Sequence, residues 1–486
     1  MKIKFSERAE TIFSDSFDVH RHYYDRVINA QLHTLVSYFL NMTKERKVER
    51  YCHLNPLIDP EYLMSLIEYK PVHIYWTGTD LFHVTSAKGN KKMIVIETNS
   101  SPSGQKSMPL LDDQEEMGGY KRLLEESFLP LVQSRKLPAG GYAVIYDKNY
   151  IEASGYAAAL ADLTDDQVFL VSCYMNDEDP SVRFVDGVME VKSGEDKWVP
   201  IKAAYRYVTQ KPWNRIPVNT KTFIYNPIIA CLAGGRNKLI ASKAYDMFNA
   251  ELKNNGLKIF TPETIMNVNL KEIPLWVNRF GGHAVIKNPY SNAGQGVYTI
   301  TNQRELDEFM AMEHHYKNFI VQSLVGNYEW STTSSEGKYY HVGTIPNKKK
   351  AIYAADLRFM IAATENGFKP VAMYARRAKN PLTCSLDNSR DSWDMLGTNL
   401  SIKLDNGWDS DVNRLKLMDR KDFNILGLSL DNLIEGYIQS VLSTIALDKM
   451  ASNLINSKNQ LNKKLFSSLN PDPILIKEIG NSVKSL

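Results

Sequence analysis

The sequence stretch that most restricts the fold of this chain is GGHAVIKNPYSNAGQGVYTIT, in its second half. Its β-rich runs at residues 283–287 and 297–301 flank a polar, glycine-containing loop, which predicts a β-hairpin with that loop at its tip. Lys287 ends the first predicted strand. Glycines let a backbone come close to a ligand and point successive N–H groups at an anion. A lysine beside such a loop suits a polyphosphate, although an ordinary surface hairpin shows the same local pattern.

This loop differs from two familiar phosphate-binding motifs. No Gly-Lys-Ser/Thr follows it, so it is not a Walker loop, and the segment after it is a strand rather than a helix, so it is not a dinucleotide fingerprint. The loop residues expected over the phosphates are Ser291, Asn292, Ala293, Gly294, Gln295 and Gly296.

Composition restricts the function classes. The length of 486 residues suffices for about two to four structural units. A net charge of +3 gives no general attraction to nucleic acid or membrane. The four cysteines are far apart and form no CxxC pair, which indicates free thiols in a reducing compartment rather than disulfides or a zinc site. The N-terminal residues lack an apolar signal core and no run approaches transmembrane length, so we expect a cytoplasmic protein.

A second predicted hairpin groups three oxygen-bearing side chains. The stretch at 72–104 contains two strand-like runs around a turn at 87–90. Asp80 begins the first run, while Glu97 and Asn99 end the second and face one side of the strand because they are two apart. Hard oxygen ligands of this kind suit Mg²⁺. The structural alternative is that Glu97 and Asn99 cap a turn.

The remaining sequence alternates helices and strands. Residues 18–46, 60–69 and 114–136 have helical spacing. A buried strand at 142–149, a helix at 150–162 and a strand at 168–172 predict a small parallel α/β unit.

The second half of the chain adds further predicted elements. Residues 351–378 predict a strand pair with its turn at 365–367, and residues 427–456 predict a helix. The residues after 456 predict a peripheral tail. The strand pair carries Asp356, Arg358, Arg376 and Arg377.

These motifs resemble the ATP-grasp superfamily. RNKLIASKAYDMF is similar to its segment with the first nucleotide lysine, VIKNPYSNAGQGVYTI to its second lysine and phosphate flap, and FIVQSLVGNYEW to its adenine-contacting hinge strand. DLRFMI and AMYARRA resemble the Asp-x-Arg strand and the basic strand of the ribosomal-protein glutamate ligases, and Asn399 resembles the asparagine that follows them in that group.

The order of the motifs resembles the circularly permuted ATP-grasp enzymes, such as eukaryotic-type glutathione synthetase and glutathionylspermidine synthetase. In the ordinary arrangement a Glu-x-Asn metal pair comes last, whereas here IVIETNSSPSG precedes both nucleotide lysines. The resemblance implies a multi-domain chain of the α+β and α/β classes, with a permuted ATP-grasp fold and a small Rossmann-like α/β subdomain. The implied units are 1–137 (helices and metal-binding hairpin), 138–232 (α/β substrate subdomain), 233–325 (lid with the flap), 326–456 (core with the basic strands) and 457–486 (tail).

The resemblance also implies roles for single residues. It places Lys238 and Lys287 on the ATP phosphates, Gln322, Ser323 and Leu324 at the adenine through backbone groups, and Glu329 at the ribose. It places Asp80, Glu97 and Asn99 on Mg²⁺, and Arg206, Arg358 and Arg376 at the acyl phosphate or the substrate carboxylate. The metal glutamate that follows the flap lysine in glutathione synthetase has no acidic counterpart at Asn288, Pro289 or Tyr290, and Asp80 is a candidate to supply that charge.

Each role has an alternative in which the residue is purely structural. Lys238 at a helix start is equally a solvent-exposed lysine. Asp356 and Arg358 could form structural ion pairs. Asp147 ends a strand of the α/β unit, where ligands often bind, and it could instead cap the following helix.

Together the motifs predict an ATP- and Mg²⁺-dependent carboxylate–amine ligase that forms an amide bond through an acyl phosphate, with the flap closing over the triphosphate. The alternatives are an ATP-grasp phosphotransferase and a nucleotide-binding regulatory protein without turnover. The predicted partners are a small-molecule or short-peptide carboxylate and an amine acceptor. We expect no nucleic-acid or membrane partner, and a homodimer is an option.

Overall fold

The computed structural model describes residues 9–112, 114–175, 177–194, 197–290, 296–335, 337–386, 391–404 and 407–480. Its first elements are β1 (Glu10–Ile12), α1 (Val19–His22), α2 (Asp25–Ile28), α3 (Thr34–Asn41), α4 (Lys44–Leu54), α5 (Pro60–Ile67), β2 (Trp76–Ser86), β3 (Lys91–Ser100), α6 (Gly118–Leu123) and α7 (Leu129–Gln133). The next are β4 (Gly141–Tyr146), α8 (Tyr150–Thr164), β5 (Val168–Ser172), β6 (Val182–Val185), β7 (Val188–Lys192), β8 (Trp198–Tyr207), β9 (Phe223–Tyr225) and α9 (Lys238–Leu252).

The second half of the chain adds elements in the same alternating manner. They are β10 (Thr264–Asn269), α10 (Ile273–Arg279), β11 (Ala284–Lys287), β12 (Val297–Ile300), α11 (Gln303–Ala311), β13 (Asn318–Ser323), β14 (Thr333–Ser334), β15 (Gly337–His341), β16 (Ala355–Thr364), β17 (Gly367–Arg377) and α12 (Ser392–Leu396). The last are β18 (Ser401–Leu404), β19 (Gly407–Ser410), β20 (Leu415–Lys416), α13 (Phe423–Leu426), α14 (Leu430–Leu454), α15 (Lys463–Leu469) and α16 (Pro473–Gly480). The described residues thus form a mixed α/β protein.

A central antiparallel sheet carries the acidic and basic strands. Its order is β14-β15-β2-β16-β17-β20, and β3 also pairs with β2. The predicted hairpin at 72–104 is confirmed, and its register sets Asp80 opposite Glu97 on β3 and opposite Arg358 on β16. The β2–β3 register shifts between Asp80 and Leu81. Such a bulge turns side chains near a strand end, and here it lies at Glu97.

Helix α14 is the hydrophobic centre of the molecule. It packs against β2, β3 and β16 on one side and against α3, α4, α5 and α9 on others. A helix enclosed on several sides loses the one-sided apolar stripe of a surface helix. Its buried Asp448 accepts hydrogen bonds from the backbone N–H groups of Val72, His73 and Ile74, at 3.0, 2.7 and 2.8 Å. These bonds fix the start of the central sheet.

A second sheet contains the predicted parallel unit, which is confirmed. Strand β4 lies between β5 and β8 and is parallel to both, and β9 is parallel to β8. Helix α8 connects β4 to β5. Buried Glu152 in its first turn accepts hydrogen bonds from the backbone N–H groups of Gly104 (2.8 Å) and Gln105 (3.0 Å). The segment after β3 is therefore attached to the end of this parallel sheet.

The third sheet forms a lid with its own small core. Its order is β10-β13-β11-β12, all antiparallel, and α10 and α11 pack on it. The predicted hairpin at 281–301 is confirmed as β11 and β12, with Lys287 opposite Val297. The loop residues Ser291 to Gln295 lie outside the described residues.

Three segments differ from the sequence-based predictions. The helix predicted at 18–46 is divided into α1, α2 and α3, because tertiary contacts hold the intervening backbone. The N–H of Tyr24 donates to Lys106 O at 3.1 Å and that of His33 donates to Met418 O at 2.9 Å. The helix predicted at 114–136 contains a π-helical turn, Leu124–Phe128.

The tail is the third difference, because it is folded and packed. Tyr290, at the base of the flap, donates a hydrogen bond from its hydroxyl to Asn470 Oδ1 at 2.8 Å. Glu478 in α16 accepts one from Trp213 N at 3.1 Å. The tail therefore contacts both the lid and the connection after the parallel sheet.

The four cysteines are free thiols, as predicted, with Cys52 and Cys231 buried. Within the described part of the chain, no helix combines the length and apolarity needed to cross a membrane.

Candidate functional site

A cleft of about 880 Å³ lies between the lid sheet and the central sheet. Its apolar part is suited to a flat ring system and its polar part to a charged group. The apolar lining residues are Phe82, Ile96, Val285, Val297, Leu324, Val325, Trp393 and Leu396. The polar lining residues include Asp80, Glu97, Lys238, Lys287, Gln322, Asp356, Arg376, Thr398 and Asn399.

Two lysines from different elements converge at the polar end. Lys287 ends β11 and is 6% exposed. Lys238 begins α9, whose N-cap Asn237 accepts a hydrogen bond from Ile240 N at 3.3 Å. The N–H of Lys238 donates to Pro289 O at 2.9 Å, which holds the helix start against the flap base. This backbone contact places the start of α9, and with it Lys238, next to the strand end that carries Lys287.

Glu97 lies between these lysines. Its carboxylate is 3.6 Å from Lys238 Nζ. Burial alone would raise the pKa of Glu97, but Lys238, Lys287 and Arg358 outweigh it and hold the pKa below its usual range. Burial lowers the pKa of Lys287 to about 8, against the opposite effect of Glu97. Two ammonium groups, that of Lys287 buried and that of Lys238 partly exposed, thus face one carboxylate, an arrangement that leaves positive charge for an anion.

The floor of the cleft is a closed set of ion pairs. Arg358 donates to both carboxylate oxygens of Asp80, at 2.6 and 2.7 Å. Arg376 lies 3.0 Å from Asp80 and donates from Nε to Asp356 Oδ1 at 3.0 Å. Thr398 donates its hydroxyl to Asp356 Oδ2 at 2.9 Å. Asp356 and Arg358 therefore do form ion pairs, as in the structural alternative. Their partners are residues of neighbouring strands, Arg376 for Asp356 and Asp80 for Arg358. We name Asp80, Asp356, Arg358 and Arg376 the floor cluster.

A second cavity of about 650 Å³ adjoins the first and shares Glu97, Lys238 and Lys287 with it. Gly235 lies in its wall, where a Cβ atom would come within 2.4 Å of Ser100 Oγ. The close approach brings Arg236, also in this wall, onto the end of β3. Arg236 donates to Asn99 Oδ1 at 3.0 Å and to the backbone oxygens of Ser100 and Ser101 at 3.1 and 3.0 Å.

The predicted magnesium ligands fit a metal unequally. Glu97 and Asn99 lie side by side, with Asn99 Nδ2 donating to Glu97 Oε1 at 3.2 Å. Asp80, by contrast, has both oxygens bonded to arginines. Among the described residues, no group of three or more His, Cys, Asp or Glu side chains is placed to hold a metal ion. Asn99 Oδ1 likewise accepts from Arg236, so Glu97 is the one of the three whose oxygens no described arginine bonds, and the Mg²⁺ site stays a prediction.

At the apolar end, the predicted hinge residues Gln322, Ser323 and Leu324 line the cleft. The backbone N–H of Leu324 donates to Thr332 Oγ1 at 2.9 Å, and its carbonyl oxygen accepts from Thr332 N at 3.0 Å. Both backbone groups of Leu324 are thus hydrogen-bonded within the protein. A ligand would meet its side chain rather than the backbone groups expected from the sequence. Asn399 also lines the cleft.

Two predicted residues lie elsewhere. Glu329, expected at the ribose, is exposed in a surface turn and is not part of the cleft lining. Arg206, expected at a substrate carboxylate, is fully buried, and its guanidinium donates to the backbone oxygens of Asn226 and Val208. The contacts of Arg206 are those of a residue that stabilises the end of β8.

Sequence reasoning missed Arg236, Trp393 and Thr398. Arg236 stands two residues before Lys238 and after two glycines, so the glycine pair was the available signal for a close backbone approach. Trp393 lies in helix α12, whose five residues are too few to show a helical period in the sequence, and Thr398 follows that helix.

No protein-family profile matches the sequence, and no curated protein matches it. Among solved structures, the chain is similar to a glutathione synthetase-like effector from Globodera pallida, with a TM-score of 0.38 and 8% identity over 71% of this chain and 81% of that chain. It is also similar to an ATP-grasp RimK-domain protein from Sphaerobacter thermophilus, with a TM-score of 0.29 and 12% identity over 48% of this chain and 89% of that one. D-alanyl-alanine synthetase A from Vibrio cholerae matches with a TM-score of 0.30 and 12% identity over 48% and 88%.

These matches include a protein described as ATP-grasp, the superfamily that the sequence motifs resemble. All three TM-scores are below 0.5. The function of this chain is therefore inferred from the residues of its cleft.

Proposed function

We propose that this protein is an ATP-dependent ligase that joins a carboxylate to an amine through an acyl phosphate. The observation that carries the proposal is the convergence of Lys238 and Lys287 on Glu97, at the polar end of a cleft whose other end is apolar. Polyphosphate requires several cationic donors, and a nucleobase requires an apolar slot. Both are present in one cleft.

The floor cluster supports a role in phosphoryl transfer. Arg376 lines the cleft and is 6% exposed. Its guanidinium is oriented by Asp80 and Asp356, so it is a fixed donor aimed at one place rather than a mobile charge. Fixed donors that need no reorganisation stabilise the charge that develops in a transition state. Burial would lower the pKa of Arg376, but Asp356 and Asp80 raise it, so this charge is permanent.

The proposed reaction has two steps. A carboxylate oxygen of the substrate attacks the γ-phosphorus of ATP, the bond from this phosphorus to the β–γ bridging oxygen breaks, and ADP leaves. The amine nitrogen of the second substrate then attacks the acyl carbon, phosphate leaves, and the nitrogen gives up a proton. Lys287 and Lys238 bind the phosphates, and Arg376 and Arg358 orient the reacting groups. Bound Mg²⁺ would neutralise phosphate charge, with Glu97 and Asn99 as its protein ligands.

The proposal includes the finer organisation of the chain. We infer circularly permuted connectivity, because the hairpin of β2 and β3 precedes the lid in sequence yet completes the sheet opposite it. We infer a Rossmann-like substrate subdomain around β4, β5 and β8. The unit boundaries expected from the sequence, a lid at 233–325 and a core at 326–456, are part of the same proposal.

The first experiment measures nucleotide binding. Lys287→Met should weaken binding of a non-hydrolysable ATP analogue by about 10- to 100-fold, because it removes a charge-assisted contact worth about 1.5–3 kcal/mol. Titration calorimetry measures this, with Lys287→Arg retaining part of the affinity. Lys271→Met, which removes an exposed lysine from the same lid, serves as the control. Equal affinity in wild type and Lys287→Met would refute the phosphate site.

The second experiment identifies the reaction. Phosphate release is screened with pooled carboxylates against pooled amines, and products are detected by mass. A ligase yields a condensed product together with ADP. A phosphorylated product without condensation would show a phosphotransferase instead. Nucleotide binding with no ADP release in any pool would favour a regulatory protein without turnover.

A further inference from the structure

One side chain at the apolar end of the cleft has no role in the proposed phosphate chemistry. His341 is the last residue of β15, is 6% exposed and lines the cleft. Its backbone N–H donates to Gly326 O at 2.9 Å, just after the predicted hinge residues. Its ring centroid is 4.5 Å from that of Phe82, with the two rings edge to face. His341 is thus held between the hinge segment and an apolar wall of the cleft.

This end of the cleft has two apolar walls. Phe82 and Ile96 belong to one hydrophobic cluster, together with Val325. Leu324 and Leu396 belong to a different cluster, and all five residues line the cleft. A flat ring between two such walls gains favourable burial, but its orientation must come from a polar group.

The hinge backbone is largely engaged already. The backbone N–H groups of Ser323, Leu324 and Gly326 each donate a hydrogen bond within the protein, at 2.9, 2.9 and 2.8 Å. The carbonyl oxygens of Leu324 and Gly326 accept bonds from the N–H groups of Thr332 and His341, at 3.0 and 2.9 Å. The backbone donors of these three hinge residues are therefore not available to a ligand.

The ring of His341, by contrast, has polar atoms to offer. Neither Nδ1 nor Nε2 forms a hydrogen bond with a described residue. Among the described residues that line the cleft, no other has a buried side-chain nitrogen or oxygen atom in this state. A buried polar group without a hydrogen bond is unfavourable, and a ligand that supplies the partner relieves this cost.

A second histidine shows why the position of His341 matters. His83, on the neighbouring strand β2, is also 6% exposed, and neither of its ring nitrogens has a partner among the described residues. His83 is not one of the described residues that line the cleft. The two histidines therefore share their chemistry and differ in their access to the cleft.

The charge state of His341 suits an uncharged ligand group. Burial, and to a lesser extent nearby His83, lowers the pKa of His341 to about 4. The ring is therefore neutral near pH 7, with one nitrogen as a donor and the other as an acceptor. A nucleobase is uncharged and presents donors and acceptors along its edges. The neutral ring can therefore bond a base edge, whereas it adds no charge for a phosphate.

We propose that a ring nitrogen of His341 forms a hydrogen bond with the edge of the nucleobase and so orients the base in the apolar part of the cleft. This inference rests on the proposed ligase function, because the ligand is taken to be ATP. The ligand class is a nucleotide whose base has a hydrogen-bonding edge and whose phosphates lie at Lys238 and Lys287. The base is then recognised by a side chain rather than by the hinge backbone expected from the sequence.

The test compares a ligand that has a base with one that has none. A non-hydrolysable ATP analogue is titrated by calorimetry, and tripolyphosphate is measured by competition against it. His341→Phe, which keeps a flat ring without its nitrogens, should weaken binding of the analogue by about three- to tenfold because a hydrogen bond is lost. It should leave tripolyphosphate binding unchanged. His83→Phe is the matched control and should equal wild type with both ligands.

Two further variants separate recognition of the base from packing. His341→Asn and His341→Gln each place an amide near one of the ring nitrogens, and at least one should regain affinity for the analogue. If neither does, the loss in His341→Phe is one of shape and the inference fails.

Thermal unfolding of the free protein gives an independent readout. His341→Phe should leave the thermal midpoint unchanged or raise it, because it removes buried polar atoms without partners. A lower midpoint together with an equal loss of affinity for both ligands would show that His341 only packs, and would overturn the inference. Unchanged affinity for the analogue would overturn it too, and would leave the base to backbone groups such as those of Val325.

The same titrations keep the two proposals apart. If wild type binds both ligands and Lys287→Met weakens both, the phosphate site stands whatever His341→Phe does. An analogue affinity that His341→Phe leaves unchanged then refutes this inference alone. If wild type binds neither ligand, the proposed function fails and this inference fails with it.

Discussion

The floor cluster and the two lysines Lys238 and Lys287 lie in one cleft but are built in opposite ways. In the floor cluster, two aspartates and two arginines satisfy one another, with Arg376 shared between Asp80 and Asp356. The two lysines, by contrast, face a single carboxylate, that of Glu97, which is 3.6 Å from Lys238 Nζ. Charges that are matched in number stabilise a geometry, whereas an excess of one sign leaves interaction energy for a ligand. The floor cluster therefore fixes the shape of the site, and the lysines supply the charge that a ligand would meet.

Breaking the floor cluster should give the largest effect. Arg376→Met leaves two buried aspartates short of a partner, so the free energy of unfolding should fall by about 3–5 kcal/mol. Urea unfolding at pH 7 measures it. Arg377→Met is the matched control, because Arg377 follows on the same strand, points to its other side and lies over the Tyr353 ring at 4.4 Å. If both variants lose the same small amount, the floor cluster does not stabilise the fold as described.

Glu97 gives a second test of this comparison, because its carboxylate lies between the two lysines. Glu97→Gln removes a negative charge from the phosphate site and one proposed metal ligand. Nucleotide binding without Mg²⁺ should strengthen by about tenfold, and binding with Mg²⁺ should weaken by a similar factor. Calorimetry with and without Mg²⁺ measures both. Glu308→Gln, in the exposed part of α11, controls for net charge. Changes of the same sign in both conditions would argue against metal binding at Glu97.

The last expected effect concerns Glu435, a carboxyl group of α14 that is not part of the cleft lining. Burial raises the pKa of Glu435 from 4.5 to about 7, although its carboxylate accepts a hydrogen bond from Met93 N at 3.1 Å. A raised pKa means that the folded state favours the protonated acid. Its contribution to stability is therefore complete below about pH 4.5 and is lost as the pH rises through 7.

Glu435→Gln should consequently match wild type at pH 5 and exceed it in stability at pH 8. Chemical denaturation at the two pH values measures this. Asp431→Asn, on the same helix but exposed and paired with Arg50, should show no such pH dependence. A variant less stable than wild type at pH 8 would show that the ionised carboxylate is tolerated there.

Local pattern predicted the elements that lie on strand alternation and tight turns. The 281–301 hairpin, with Lys287 at a strand end, and the strand at 168–172 have the predicted bounds within one residue, whereas β2 begins at Trp76, well before the predicted start at Asp80. Polar residues at strand ends are visible in sequence because a strand's period and its turn both leave a signal. The start of α9 at Lys238 was visible for the same reason, through its Asn237 cap.

What sequence could not show was set by contacts between distant segments. The pairing of Arg358 with Asp80 depends on a register between strands 278 residues apart. Arg206 was expected at a substrate because the resemblance to the ATP-grasp superfamily implied that role, yet backbone carbonyl groups of Val208 and Asn226 enclose its guanidinium.

The final helices act as a tether. Asn470 holds the ring of Tyr290, one residue before the phosphate loop begins, and Glu478 holds the backbone at Trp213 beyond the parallel sheet. A displacement of the hairpin base should therefore also be felt at α15, at α16 and at Trp213, whose ring centroid lies 6.1 Å from that of Tyr290. A fluorophore placed on α16, well away from any ligand, would register the arrival of nucleotide.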